Sequence, residues 1–279
     1  MSEKTVFRRM FTRTEVWVGL IILFAIIAVS LLAPFLFPRG PWAMGGRPFL
    51  PPMADMRFPL GTDTTGRDIL AGLVWGGRVS LLIGLVSTIV SVVIGVLIGA
   101  IAGYGGGHID SALMRFTEIF QVVPSFALAL VLVAVLQPSV GSIVTAIGVV
   151  SWPPVARLVR AEFLSLRSRD FVLAAKLQGQ SALAIMFRQI LPNVASPIIV
   201  MASLMVATAI LLESSLSFLG LGDPNQMSWG FMIGASRTVL RQAWWMATFP
   251  GLAIAITVLA LNILGEALND ALNIHSRNR

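Results

Sequence analysis

Long apolar runs separated by short polar connections dominate this chain. Six of them contain no Asp, Glu, Lys or Arg: Trp17 to Phe37, Ser80 to Gly103, Phe120 to Leu136, Val140 to Ala156, Val194 to Leu212 and Trp244 to Gly265. A helix rises 1.5 Å per residue, so about 20 apolar residues cross about 30 Å of hydrocarbon. The pattern predicts an all-α membrane protein with six transmembrane helices, the third and fourth being the shortest.

The stretch Arg167 to Asn193 (RSRDFVLAAKLQGQSALAIMFRQILPN) interrupts this apolar pattern. It predicts two short helices, Phe171 to Gln178 and Ala182 to Ile190, with Ser168, Asp170 and Ser181 as cap candidates. Gly179 is the natural hinge, because glycine takes the left-handed conformation that ends a helix. Pro192 is expected to stop the second helix short of the next apolar run. The product would be a stiff helical elbow.

The segment 38–79 is rich in proline and glycine and reads as an ordered loop with turns. Within it Asp63, Arg67 and Asp68 are expected as turn and capping residues. Pro153 and Pro154 are expected to bend the fourth span. The second span carries Ser87, Ser91, Gly95, Gly99 and Gly103 at every fourth position, a stripe that allows close helix approach. It fits packing within the subunit and a seam against a second, similar subunit equally well.

Composition agrees with the pattern: 279 residues, 56% hydrophobic, 12% charged, with a mean hydropathy of +0.86. Such a chain has too little polar surface for a water-soluble domain. With both termini inside, the cytoplasmic side holds Lys4, Arg8, Arg9, Arg13, Arg115, Arg157, Arg160, Arg167, Arg169, Lys176, Arg188, Arg277 and Arg279, thirteen of the twenty basic residues. This excess favours both termini in the cytoplasm. The N-terminal run is long for a signal peptide and lacks an Ala-x-Ala site, so it reads as a retained span.

The segmentation that follows is a cytoplasmic N-terminus (1–15), a first transmembrane helix (16–37), an extracytoplasmic loop (38–77), a five-helix core (78–268) containing the 167–193 loop, and a cytoplasmic C-terminus (269–279). Anionic headgroups and inside-facing arginines account for the net charge of +7 without a nucleic-acid partner. Cysteine is absent, which rules out disulfides and thiolate chemistry.

Missing motifs narrow the function further. Neither Lys4 nor Lys176 follows a glycine as a phosphate-binding loop requires, and neither His108 nor His275 has zinc-protease spacing. No metal site and no catalytic residue is expected. The apolar runs hold no ionisable residue of the kind that couples ion gradients to transport. Glu118, Glu213 and Glu266 fall at or near span ends, where interfacial hydrogen bonding is the expected role. Energy should therefore enter from elsewhere, and the elbow is the expected entry point.

Three separated motifs then carry a resemblance. Leu60 to Asp68 (LGTDTTGRD) with Gly77 to Leu81 (GRVSL), Ser217 to Gly222 (SFLGLG) with Ser228-Trp229-Gly230, and Ala174-Ala175, Gly179 and Ile190 to Asn193 in the elbow all resemble one family. It is that of the inner-membrane permease subunits of ABC importers for dipeptides, oligopeptides and nickel. Two positions depart from it: Leu173 stands where the elbow motif often has an acid, and Gln189 where histidine is common.

The resemblance implies a type I ABC importer permease fold in the bacterial cytoplasmic membrane. It implies as partners a second, homologous permease subunit, two ATP-binding subunits and an extracytoplasmic solute-binding protein, with ATP and magnesium held by the ATPases and no cofactor here. The elbow residues Phe171, Ala174, Ala175, Gly179, Ile190, Leu191, Pro192 and Asn193 would contact the ATPases; the alternative is a helix lying on the membrane interface. Arg237 and Arg241, four apart on an expected outside helix, would meet the binding protein or face lipid headgroups. Peptides are the expected cargo, with nickel, a metal chelate, glutathione or an opine as alternatives. A stand-alone carrier or channel, or a membrane scaffold, are the readings from other classes.

Overall fold

The computed structural model describes residues 14–276, so the basic residues Lys4, Arg8, Arg9, Arg13, Arg277 and Arg279 used in the topology argument lie outside the described residues. The described residues form helices, with two isolated β-bridges and no strand. We label them α1 (Thr14–Leu31), α2 (Ala33–Leu36), α3 (Ile69–Gly105), α4 (Gly107–Val122), α5 (Ser125–Leu136), α6 (Val140–Leu166), α7 (Asp170–Leu177), α8 (Ala182–Ala184), α9 (Leu191–Leu216), α10 (Trp229–Ser236) and α11 (Trp245–Ser276). π-Helical turns at Ile185–Ile190 and Ser217–Leu221 flank α9.

Five helical stretches among the described residues are long and apolar enough to cross a membrane. The expected third span is not straight. Its residues divide between α4 and α5, which meet at an 83° bend. Pro124 causes the break by holding Val123 extended (φ −86°, ψ 129°) and offering no N–H to a helical ladder. The count of six holds only if this bent pair is one span.

Two other spans are longer than their uncharged runs. α3 has 37 residues, about 55 Å at 1.5 Å per residue, and starts eleven positions before Ser80 because Asp68 caps it by accepting from Leu70 N at 2.9 Å. The preceding loop therefore ends at residue 68, not 77. α6 continues through Pro153 and Pro154 to Leu166, carrying Arg157 and Arg160 on the helix itself. Helical proline is tolerated where neighbouring helices cover the freed carbonyls.

The small-residue stripe on α3 is spent inside this chain. Ser91 donates to the carbonyl of Gly148 on α6 at 3.2 Å. A Cβ placed on Gly95 would lie 2.5 Å from Val155 Cβ, and one on Gly103 would lie 2.6 Å from Phe163 Cβ. All five stripe residues, Ser87, Ser91, Gly95, Gly99 and Gly103, are buried against α6. The seam against a second permease is thereby corrected, since α6 already occupies that face.

The 38–68 loop is ordered by its own polar web. Thr62 is buried, donates through its hydroxyl to the carbonyl of Arg47 at 2.5 Å and accepts from Leu50 N at 2.9 Å. Asp63 accepts from Thr65 N and Arg67 N, as a turn residue should. Arg67 lies over the Trp42 ring at 4.7 Å. At the exposed tip, the Arg57 guanidinium holds the Asp55 carboxyl below its ordinary pKa.

Candidate functional site

The elbow joins α6 to α9 at one end of the bundle. α7 ends in a paired C-terminal turn: Gln180 N reaches the carbonyl of Ala175 at 3.2 Å and Gly179 N that of Lys176 at 3.0 Å. This motif needs a left-handed residue, and Gly179 supplies it at φ +76°. Ser181 then caps the next helix by accepting from Ala184 N at 3.3 Å. Ser168 and Asp170 do not cap α7, whose N-cap is Arg169 without a side-chain bond.

Pro192 does not end the second elbow helix. The turn Ile185–Ile190 is π-helical, with Leu191 N bonding to the carbonyl of Met186, five residues back. Pro192 follows at once, where the ladder is already changing register, so its missing N–H breaks nothing further. Asn193 Nδ2 donates back to the carbonyl of Gln189 at 2.7 Å, and Gln189 Nε2 reaches Gln180 Oε1 at 3.3 Å. From Ala182 onward, the second elbow helix, the π-turn and α9 thus run as one continuous helical stretch.

Its faces differ from the expected contact set. Phe171, Ala174, Gly179, Pro192 and Asn193 are exposed and Leu191 is half-buried. Ala175 and Ile190 turn inward instead, packing with Phe163, Val172 and Val194, so they brace the elbow from beneath. Leu177, absent from that set, is 91% exposed, and Leu173, Leu183 and Phe187 are exposed beside it. A side chain on Gly179 would meet no atom within 4 Å.

Behind the elbow, α6 is pinned to its neighbours by charge. Arg160 forks onto Asp110 of α4, with Nη2 to Oδ2 at 2.6 Å, and Arg167 Nη1 donates to the carbonyl of Gly103 at 3.3 Å. A bidentate guanidinium–carboxylate pair fixes orientation as well as distance. Lys176 of α7 lies over the Tyr104 ring at 5.5 Å. The elbow is therefore held to α3 and α6, and α6 in turn to α4.

At the opposite end the structure buries an ionisable residue that the uncharged-run reading placed at a span edge. Glu213 is 1% exposed, so it is no interfacial snorkeller. Its Oε1 accepts from Ser217 and Ser228, both at 2.8 Å. Ser228 also caps α10 by accepting from Phe231 N at 2.9 Å, while Trp229 N donates to Ser80 of α3 at 3.1 Å. One carboxyl thereby ties α9 and α10, and a neighbouring bond ties α10 to α3. The spacing Glu213-x-x-x-Ser217, one helical turn, was the available sequence signal.

Arg237 and Arg241 are both exposed, but they do not share a helix face. α10 ends at Ser236, and the chain from Arg237 to Gln242 is a series of turns.

Two features now stand together: a bundle with a small-residue α3–α6 seam, and an exposed glycine elbow at one end. A family model described as binding-protein-dependent transport system inner membrane component matches residues 95–277. The chain belongs to this family. It is 40% identical over 267 residues to a di/tripeptide transport system permease protein of Pseudomonas aeruginosa (strain UCBPP-PA14), covering 93% of this chain and 88% of that one. To the dipeptide transport system permease protein of Escherichia coli (strain K12) it is 42% identical, covering 92% and 87%. To that of Bacillus subtilis (strain 168) it is 37% identical, covering 91% and 80%. As a transport permease of this family the chain works with an ATPase and a binding protein, in agreement with a fold that has apolar spans and no expected nucleotide site.

Proposed function

We propose that this permease carries di- or oligopeptides inward, as one of two related permease subunits above two ATPases, with both termini in the cytoplasm. The 38–68 loop and α10 then lie at the end of the bundle that meets the extracytoplasmic binding protein. Peptide cargo follows the names of the relatives quoted above. ATP and magnesium belong to the ATPases in this reading, and this chain needs no cofactor of its own.

The observation that carries the proposal is the elbow. Exposed Phe171, Leu173, Leu177 and Leu183 form an apolar helical surface on a basic side of the chain, braced from beneath by Ala175 and Ile190. Such a helix suits a groove on another protein. Closure of the ATPase pair would push α7, and the continuous π-turn and α9 would carry that movement into the bundle. Arg237 and Arg241, though on turns, remain exposed cations at the end that would meet the binding protein.

Gly179→Asp tests this. The left-handed backbone costs an Asp about 1–2 kcal/mol, and no atom stands in its way, so the bundle should assemble. Uptake of dialanine into proteoliposomes should fall at least tenfold while basal ATP hydrolysis persists. Normal uptake together with normal stimulation of ATP hydrolysis by the loaded binding protein would overturn elbow docking.

A further inference from the structure

At the end of the bundle opposite the elbow, the start of α3, the start of α6 and the segment before α10 enclose a cleft of about 520 Å³. Trp75 and Arg78 line it from α3, Ser139 from the cap of α6, and Asp223 and Gln226 from the third side. Its volume lies within the roughly 300–1,000 Å³ range of small-molecule sites.

Among the described residues, its two charged side chains have no charged partner. Arg78 is half-buried, its guanidinium stacked over the Trp75 ring at 5.1 Å, and no carboxylate stands within ion-pair distance among the described residues. Trp75 is itself held, donating from Nε1 to the carbonyl of Phe37 at 3.3 Å. Asp223 is held by backbone alone: Oδ2 accepts from Val140 N at 3.0 Å and Oδ1 from Asn225 N at 2.8 Å. A carboxylate offers about four acceptor sites, which leaves about two for a ligand. The cleft thus presents a fixed cation and a fixed anion in one ligand-sized space.

We infer that this cleft is a permease-side subsite for a zwitterionic peptide, Arg78 taking the terminal carboxylate and Asp223 the terminal ammonium. Guanidinium–carboxylate recognition is charge-assisted, and holding both groups in advance lowers the ordering cost of binding. A docked protein surface would call for about 800 Å² per partner rather than a concave space of this size. The inference rests on the peptide reading above and narrows it: the permease itself, and not only its binding protein, would discriminate peptides by their charged ends.

The test uses the absence of cysteine from this chain. Gln226→Cys, introduced into the complete transporter, places one thiol of this subunit at the cleft wall, and its maleimide labelling is read on this subunit's band. Dialanine should slow labelling several-fold, N-acetylalaninamide should not, and adding Arg78→Gln should abolish the protection. Arg78→Lys should keep part of it, which shows that a folded cleft is being read. Equal protection by both compounds, no protection by dialanine, or protection retained in Arg78→Gln would overturn the subsite. So would protection that appears only with the binding protein bound, which would make the cleft a docking surface. Uptake measured on the same proteoliposomes separates the readings: dialanine uptake with an unprotected cleft overturns only the subsite, whereas no dialanine uptake overturns the peptide permease.

Discussion

At the elbow, Leu173, Leu177, Leu183 and Phe187 turn apolar surface outward around a glycine whose open side faces no atom within 4 Å. At the other end of the bundle, Glu213, Ser80, Ser217 and Ser228 close on one another, and the Trp245 indole separately donates to the carbonyl of Thr62 in the 38–68 loop at 3.1 Å. The first region leaves its apolar side chains exposed among the described residues. The second has satisfied its polar groups internally. On the proposed reading a motor would grip the first, whose exposed side chains can be covered without disturbing the core, while the second would hold the far end together.

Four substitutions separate the two plans. The largest effect is expected from Gly99→Leu, which would drive a side chain into the α6 backbone at Ala156 and the side chain of Val159. Overpacking typically costs about 1–3 kcal/mol, more where backbone blocks relaxation, so little assembled transporter should survive detergent extraction. Glu213→Leu comes next, because it strips Ser217 and Ser228 of an acceptor at about 1–3 kcal/mol for each orphaned group. Its melting temperature should drop by several degrees, and Glu213→Gln, which keeps an acceptor, should recover part of the loss; a Leu variant as stable as the parent would break the contrast.

Asp68→Ala should cost about 1 kcal/mol through loss of the α3 cap, read as a modest fall in thermal stability. Leu177→Ser should change stability least, within about 0.5 kcal/mol for an exposed position. Yet it should weaken ATPase retention on purification. A Leu177 variant that loses stability but keeps its ATPases would reverse the assignment of the two ends.

Much of this was legible before the structure, and what was not has physical causes. Uncharged runs located the spans but not their ends, because helices α3 and α6 extend through Arg78, Arg157 and Arg160, where the protein itself supplies partners or snorkelling room. The glycine hinge was visible because a left-handed residue has few alternatives. Pro192 misled because a π-turn is a tertiary accommodation with no sequence rule, and Pro124, a true breaker, sat unremarked in an apolar run. Glu213 looked interfacial because hydropathy counts charge and cannot see three serines, from residues 80, 217 and 228, arriving from three elements. The stripe on α3 announced close packing, but the partner's identity depends on topology.

The π-turn at Ile185–Ile190 also sets a phase. Each residue of an α-helix advances the chain by about 100°, so bonding five residues back rather than four displaces the face of everything downstream relative to the elbow. Shortening that turn by one residue would leave α9 the same length in membrane terms yet spin it by about 100°, swinging the Glu213 carboxyl away from the serines on α3 and α10. The elbow and the far clasp, some 25 residues apart, are thus geared to each other like two teeth on one shaft, with a single surplus residue deciding that both mesh at once.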